Sequence, residues 1–417
     1  MRYCAYHRTL FSHPPIHPRD SPSRSDIFGV VSSHNMSSTA AVLTDAQTRL
    51  MNLIVLLEED AEDLGVSVPP IPSHAYLVWS EEQIRQYFDT YDESDLDAWK
   101  DRVSSFPSCE GPSGDLDGGE PGYTPMSASE ASAVFTSTDD AAFTAWFPGL
   151  ERSKTASANP RARILCFPNA GNEENLYTNE GVGARKVDTL LAFCRSQNIE
   201  VLAVQLPGRA QRRSEPFAKS ARDAATAVLN VVGHRLFGDG KPYYILAHSV
   251  GTWVSYELLQ AMKEKRLPMP VRCFLSAFPS PTWPANDRPW VQQRSLADPA
   301  FMDEARGWDV NEVVFSKDMF GMYGPIMRAD FTLFDEYEYG HAEDPKLPVA
   351  LTTFYAKNDK KVTQDMVKAW VEVCDDVDGP HMIDGHHLYV MGLGDQKAGK
   401  IKWLEMVVER LKKELTS

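Results

Sequence analysis

One stretch of the chain combines a serine with the small neighbours that a nucleophilic serine needs. Residues 243–252 read Tyr-Tyr-Ile-Leu-Ala-His-Ser-Val-Gly-Thr, an apolar run that ends at Ser249, with Ala247 and Gly251 on either side of it. Apolar residues then recur at helical spacing, so the pattern predicts a sharp strand-to-helix turn, the nucleophile elbow. The start of the helix would face the oxyanion formed when the serine attacks a carbonyl. The alternative interpretation is an ordinary buried serine between a strand and a helix.

An acid follows at the place where such a serine needs one. In one common arrangement the chain order is serine, acid, histidine. Asp359 follows a predicted strand at 349–355, and open sheets place reactive groups at the carboxyl ends of their strands. Its alternative role is to cap the helix predicted near Thr363, although Thr363 would serve better as the cap. Asp330, in a helical context, and Asp384 are weaker candidates.

Two adjacent histidines follow the next predicted strand. A histidine is the usual base because its unperturbed pKa, about 6.5, suits proton transfer near neutral pH. At most one of two adjacent side chains can face Ser249. We expect this to be His386, because Gly385 lets the backbone turn immediately before it, and we expect His387 to pack or to bond the loop.

A loop of small residues predicts the oxyanion site. The apolar run at 164–167 leads into residues 168–171, Pro-Asn-Ala-Gly. The backbone N–H groups of Ala170 and Val250 are the expected donors to the oxyanion. The alternative is a plain turn after a strand. No residue spacing typical of a metal site is found, so no metal is expected.

The strands and helices that position these residues can be predicted from residue 139 onward. Short apolar runs alternate with helical stretches, which indicates an α/β domain with a mostly parallel sheet at 139–417. The predicted strands lie at 164–167, 200–206, 243–247, 273–278, 349–355 and 381–383, and the predicted helices at 181–194, 221–236, 250–263, 364–373 and 400–415.

The amino-terminal third has a different texture. We predict a disordered or targeting segment at 1–40, a helical appendage at 41–103 with helices at 43–64 and 80–103, and a linker at 104–138. Arginine, serine and proline in the first segment are compatible with organelle targeting, and Met36 is an alternative start.

Composition limits the function further. The formal net charge of −16 argues against a nucleic-acid partner, and no apolar run approaches the length of a membrane span. Six scattered cysteines indicate reduced thiols in an intracellular, cytoplasmic protein. We expect a monomer.

Taken together, these positions resemble the stand-alone type II thioesterases that accompany polyketide and nonribosomal peptide synthetases and fatty acid synthases. The similarity covers roughly residues 143–414. It is carried by Trp146, Phe147, residues 166–171 and 205–209, Arg212, Arg213, the elbow, residues 328–331, Asp359, Gly385 and His386. The chain departs from the family's usual residues at Asn169, Asn172, Ala247 and Val250, which leaves substrate choice open.

The resemblance implies an α/β-hydrolase fold in which Ser249, His386 and Asp359 hydrolyse a thioester. The acyl group would arrive on the phosphopantetheine of an acyl carrier protein, so no separate cofactor is expected. The family also implies a helical lid at about 295–330. Its expected substrate-binding residues are Phe301, Met319, Phe320 and Met327.

Two other functions stay open at this point. A carboxylesterase or lipase acting on oxygen esters uses the same residues, and a fold does not fix its substrate. An inactive hydrolase-fold protein could instead serve as a binding module.

Overall fold

The computed structural model describes Leu50, Leu53 and residues 80–89, 96–103, 106, 123–135 and 139–416. The chain divides into two compact units, Met1–Gly119 and Glu120–Ser417. The segment predicted at 1–40 lies outside the described residues, as does most of the helix predicted at 43–64.

The first unit contains two described helices, α1 (Glu81–Asp89) and α2 (Leu96–Val103). The indole N–H of Trp99 donates to the backbone oxygen of Tyr87 at 3.1 Å, and their rings meet edge to face. One continuous helix was predicted over 80–103. Both of its ends are helical, and the residues between them lie outside the described part of the chain.

The second unit is built on a parallel sheet of six strands in the order β2-β1-β3-β4-β5-β6. The strands are β1 (Ala162–Phe167), β2 (Ile199–Ala203), β3 (Tyr243–His248), β4 (Arg272–Ser276), β5 (Ala350–Ala356) and β6 (Val377–Ile383). Each predicted strand is present, and the prediction of a mostly parallel sheet is confirmed.

The helices of this unit connect the strands and cover the sheet. They are α3 (Ala128–Ala133), α4 (Asp140–Trp146), α5 (Gly149–Arg152), α6 (Asn175–Thr178), α7 (Thr189–Ser196), α8 (Ala221–Phe237), α9 (Val250–Glu264), α10 (Asp298–Gly307), α11 (Lys317–Asp335), α12 (Gln364–Lys368) and α13 (Lys397–Thr416). The helix predicted at 181–194 is wrong in its first half. Gly181 and Gly183 both have positive φ, 71° and 54°, which a right-handed helix excludes.

The sheet separates two apolar layers. Successive strand residues point to opposite faces, so Leu165 and Cys166 of β1 belong to different layers. Helices α8 and α9 cover one face around the fully buried Trp253, and α7 and α13 cover the other around Trp403. Strands buried on both faces read as continuous apolar runs, which is why the sequence revealed them. None of the described helices has the length and apolar character of a membrane span.

The linker predicted at 104–138 ends too late. The Met126 N–H donates to the backbone oxygen of Arg266 at 2.8 Å, and the Phe135 ring packs on Phe237 of α8. These residues therefore belong to the second unit. Few apolar side chains anchor the segment, so its composition resembles that of a linker although it is packed.

Candidate active site

Ser249 occupies the strained turn between β3 and α9. Its backbone angles are φ 55° and ψ −135°, a region that residues other than glycine rarely adopt. Its N–H donates to the backbone oxygen of Ser276 at 2.9 Å, which fixes the turn against β4. At Gly251 an added Cβ would lie 2.6 Å from the backbone oxygen of Phe167, so the helix can approach β1 only with glycine there. The predicted nucleophile elbow is present.

His387 connects Ser249 to Asp359. Its Nε2 lies 2.9 Å from Ser249 Oγ, and its Nδ1 lies 2.7 Å from Asp359 Oδ2. Both partners of the second contact are almost fully buried, at 2% and 1% side-chain exposure. The other oxygen of Asp359 accepts the N–H groups of Lys361 and Val362 at 2.9 and 3.0 Å. A serine, a histidine and an acid are therefore linked by consecutive hydrogen bonds.

The surroundings of Asp359 keep it ionised. Burial by itself would raise the pKa of the carboxyl group, but the charge and hydrogen bond of His387 act in the opposite direction. Together with the two backbone N–H groups they hold the pKa of Asp359 below its ordinary value. The alternative role predicted for Asp359, a helix cap, is filled by Thr363, whose hydroxyl accepts the Met366 N–H at the start of α12.

The prediction that His386 faces Ser249 is wrong by one residue. Gly385 (φ 154°) serves close packing, since an added Cβ would lie 2.7 Å from Gln396 Oε1 and 2.9 Å from the Tyr389 Cβ. The same Gln396 oxygen accepts the His386 N–H at 2.9 Å, and the His386 side chain stays 33% exposed. The loop thus directs His387, and not His386, towards Ser249. Residue spacing alone could not distinguish the two, because both follow the glycine closely.

A second buried histidine supports the loop from behind. His248 Nε2 lies 2.9 Å from the backbone oxygen of His387, and its Nδ1 lies 3.0 Å from Ser276 Oγ. A carbonyl only accepts, so Nε2 carries the proton and Nδ1 accepts from the serine hydroxyl, which is also hydrogen-bonded to the Tyr389 hydroxyl. Burial and the neighbouring His387 lower the pKa of His248 to about 3. This neutral network therefore positions the main chain of His387 without adding charge.

Two landmarks of the resemblance meet beside the small-residue loop after β1. Arg209, after β2, and Asp330 of α11 form a buried two-pronged ion pair with N–O distances of 2.6 and 2.5 Å. Asp330 Oδ2 also accepts the Gly171 N–H at 2.7 Å. Asp330 is thus bound to this loop, whereas the carboxylate hydrogen-bonded to His387 is that of Asp359. The position of Asp330 fixes the loop that carries Ala170.

The predicted oxyanion donors lie near Ser249. Ala170 lines the same cavity as Ser249. Val250 is the first residue of α9, where a backbone N–H has no acceptor within the helix. These positions are compatible with the predicted role, which stays a prediction.

A cavity of about 520 Å³ opens onto Ser249. One wall is the lid segment, residues 298–335, which contains α10, a 3₁₀ turn at Glu312–Phe315 and α11. The side chains of the lid segment that line the cavity are mostly apolar: Trp308, Val310, Val314, Met319, Tyr323, Met327, Phe331 and Phe334, with Asp309 and Asn311. The segment after β6 contributes further lining residues: His386, Leu388, Met391, Leu393, Asp395 and Gln396.

The predicted substrate-binding residues divide into two pairs. Met319 and Met327 line the cavity, whereas Phe301 and Phe320 do not. Phe301 is fully buried and packs edge to face on Phe331, so it supports the wall from behind. Helical periodicity identified the apolar residues of the lid segment but not which side of each helix faces the cavity.

A family model described as the thioesterase domain matches residues 163–412 of the chain. The chain belongs to the thioesterase family. The gramicidin S biosynthesis protein GrsT of Aneurinibacillus migulanus is 26% identical to this thioesterase over 247 residues, which are 59% of this chain and 88% of GrsT. The medium-chain S-acyl fatty acid synthase thioesterase of Rattus norvegicus is 24% identical over 242 residues, or 56% and 84% of the two chains.

A solved structure shows the fold independently. It is a mutant of YbtT, described as a type II thioesterase from the yersiniabactin NRPS/PKS biosynthetic pathway, and it matches with a TM-score of 0.50 at 19% identity. The match covers 62% of this thioesterase and 96% of YbtT. The predictions of an α/β-hydrolase fold and of a thioesterase of the type II kind are confirmed.

Proposed function

We propose that this thioesterase removes acyl groups from the phosphopantetheine arm of carrier proteins by a Ser249, His387, Asp359 mechanism. The observation that carries the proposal is the pair of contacts that His387 makes, 2.9 Å to Ser249 and 2.7 Å to Asp359, beside a cavity with an apolar wall. A nucleophile, a base and an orienting acid in this order are what acyl transfer requires.

Ionised Asp359 can only accept a hydrogen bond, so His387 Nδ1 carries the proton and Nε2 accepts from the Ser249 hydroxyl. Ser249 gives its proton to His387 Nε2 as its oxygen attacks the thioester carbonyl. The carbon–sulfur bond then breaks, and the pantetheine sulfur takes the proton from His387, which leaves an ester on Ser249. A water molecule gives a proton to His387 and attacks this ester, and the released serine oxygen takes the proton back. Ionised Asp359 stabilises the histidine during both proton transfers.

The negative charge on the carbonyl oxygen needs donors that are fixed before the reaction. The N–H of Val250, at the start of α9, and that of Ala170 are the proposed donors. The Arg209–Asp330 ion pair supports this assignment, because it takes up the adjacent Gly171 N–H and fixes the loop. Ala170, which precedes Gly171 in this loop, lines the cavity together with Ser249.

The cavity and the relatives each support one part of the proposed substrate, the acyl chain and the carrier-bound thioester. The apolar wall of the lid segment suits an acyl chain, and a cavity of about 520 Å³ is in the range of small-molecule sites. The relatives support a carrier-bound thioester as the substrate, since one is named for gramicidin S biosynthesis and another as a fatty acid synthase thioesterase.

A panel of acyl-loaded carrier proteins tests the proposal. Mass spectrometry before and after exposure should show loss of the acyl group with the wild-type enzyme and none with Ser249→Ala, whose melting temperature should match the wild type. Each thioester is paired with the oxygen ester of the same acyl group. Activity in folded Ser249→Ala would refute the mechanism, and a consistent preference for the oxygen esters would replace the thioester substrate with an ester.

A further inference from the structure

The main chain of His387 is held at both of its polar groups by side chains. Its carbonyl accepts from His248, as described above, and its N–H donates to Asp309 Oδ2 at 3.2 Å. The first contact comes from the sheet, but the second comes from the lid segment. Asp309 is thus a direct link between the lid segment and the histidine.

Asp309 also binds the loop that carries the acid. Its other oxygen lies 2.5 Å from Lys360 Nζ, and Lys360 directly follows Asp359. The Asp309 side chain is 7% exposed although Lys360 is 63% exposed, so the carboxylate lies inward of its cation. One carboxylate therefore joins three segments: the end of α10, the loop after β5 and the loop after β6.

His386 does not compete for this carboxylate with a hydrogen bond. Its Nδ1 lies 3.6 Å from Asp309 Oδ2, beyond hydrogen-bond distance. The same nitrogen accepts the Leu388 N–H at 3.1 Å and so carries no proton in this arrangement. The hydrogen bond that Asp309 Oδ2 accepts from this loop is therefore donated by the backbone N–H of His387.

The backbone at Asp309 would suit glycine better. Helix α10 ends in a Schellman motif, in which the N–H groups of Asp309 and Val310 donate to the backbone oxygens of Arg306 and Ala305. Asp309 is the residue in the left-handed conformation, with φ 61°. Glycine adopts this conformation without strain and is the usual residue there. An aspartate at this point therefore costs backbone energy that its side-chain contacts must offset.

We propose that Asp309 is a positioning residue for the catalytic base: it fixes the His387 main chain and makes its placement depend on the position of the lid segment. The inference rests on the proposed function, in which His387 is the base. Misplacing a reacting group by about 1 Å can reduce the rate roughly a hundredfold. Loss of the hydrogen bond to the His387 N–H is therefore expected to lower the rate if it lets the histidine shift.

The test compares variants of Asp309 in the full-length chain. Asp309→Gly removes the carboxylate and relieves the backbone, Asp309→Ser is too short to reach the His387 N–H, and Asp309→Asn keeps an oxygen that can accept it. Asp303→Asn is the matched control, since Asp303 lies on the same helix, 75% exposed, paired with Arg306. The measurements are kcat and KM on hexanoyl-N-acetylcysteamine, the rate of fluorophosphonate labelling and the melting temperature.

We expect Asp309→Gly and Asp309→Ser to lower kcat and labelling about ten- to a hundredfold with little change in KM. Asp309→Gly should melt no lower than the wild type, whereas Asp309→Asn should recover most of kcat and Asp303→Asn should behave as wild type. Wild-type kcat in folded Asp309→Gly or in folded Asp309→Ser would overturn the inference. If Ser249→Ala and His387→Gln are inactive in the same assay, that result leaves the proposed mechanism intact. Activity in Ser249→Ala would instead refute the mechanism itself.

Discussion

His386 and His387 are adjacent in the chain but have different surroundings. His387 is buried between Ser249 and Asp359, whereas His386 lies on the cavity wall with one third of its side chain exposed. We predict that His387→Gln lowers turnover about a hundred- to ten-thousandfold, because a general base contributes about 10²–10⁴ in rate. His386→Gln should retain most of the activity.

The measurement is the burst of acyl-enzyme and the steady-state rate for both variants. The pair is its own control, because the two substitutions are chemically identical and one residue apart. Loss of acylation in His386→Gln with near-normal acylation in His387→Gln would contradict the geometry described above.

The limits of sequence reasoning are clear at this scale. Ser249 and Asp359 were predictable because each follows a buried strand, and a strand fixes where its last residue points. His386 was chosen on the assumption that the backbone freedom of Gly385 turns the next side chain towards Ser249, but Gly385, with φ 154°, packs against Gln396 and Tyr389, and His387 is the residue that reaches Ser249. Asp309 carried no sequence signal, since its importance depends on a contact with residues that lie far away in the chain.

At the level of single helices, α11 contains an exposed glycine, Gly321, that no close packing requires. An added Cβ at Gly321 would have nothing within 4 Å, and Pro325, four residues later, lacks the N–H that would bond the Gly321 oxygen. We predict that Gly321→Ala raises the free energy of unfolding by about 1 kcal/mol, since alanine favours the helix. Urea unfolding measures the change.

Gly324 in the same helix is the matched control. An added Cβ there would lie 3.1 Å from the Phe320 ring, so Gly324→Ala should gain less than Gly321→Ala or lose stability. Equal gains from both substitutions would show that contact with Phe320 does not decide the outcome.

The end of the same helix carries a carboxyl group that titrates near neutral pH. Burial raises the pKa of Asp335 to about 7, although the Gln293 N–H donates to one of its oxygens at 2.7 Å. Between the ordinary pKa of 3.8 and about 7, the folded chain holds this proton more tightly than the unfolded chain does. The contribution to stability is therefore complete below the ordinary pKa and is lost as the pH rises through 7.

Asp335→Asn should remove this dependence. We expect its melting temperature relative to wild type to be higher at pH 8 than at pH 5, because only the wild type must ionise a buried group. Glu336→Gln is the control, since Glu336 is paired with Arg294 at the surface and its pKa is lowered. A difference from wild type that is the same at both pH values would exclude Asp335 as the titrating group.

For the whole molecule, the extent of the enzymatic unit can be tested by truncation. A chain that begins at Glu120 keeps Met126 and Phe135 packed against the rest of the second unit. It should retain the melting temperature of that unit and hydrolyse thioesters. A chain that begins at Asp139 loses both contacts and uncovers Phe237. We expect it to melt at a lower temperature, because apolar surface that was buried becomes exposed.

Thermal unfolding and the rate on a small thioester are measured for both truncations. Equal melting temperatures in the two chains would mean that residues 120–138 behave as the linker that the sequence predicted. An inactive chain from Glu120 would show that the first compact unit is needed for catalysis.

The fold was more predictable than these boundaries. Parallel strands buried on both faces leave continuous apolar runs in the sequence. The chain order of Ser249, Asp359 and the histidine pair also reduced the number of possible folds. The linker prediction missed the packed residues 123–135 because two or three apolar side chains are enough to anchor a segment. Composition averaged over the range does not detect them.

The order of the sheet leaves β2 and β6 at its two edges, where a foreign strand could add. Along β2, the hydroxyl of Thr155 accepts the Val201 N–H at 3.1 Å, so a side chain from the preceding segment already occupies that edge. Strand β6 contains Pro380, which has no N–H to offer a partner. Each described edge is therefore interrupted at one position, which leaves fewer free backbone groups for a strand of another copy to pair with.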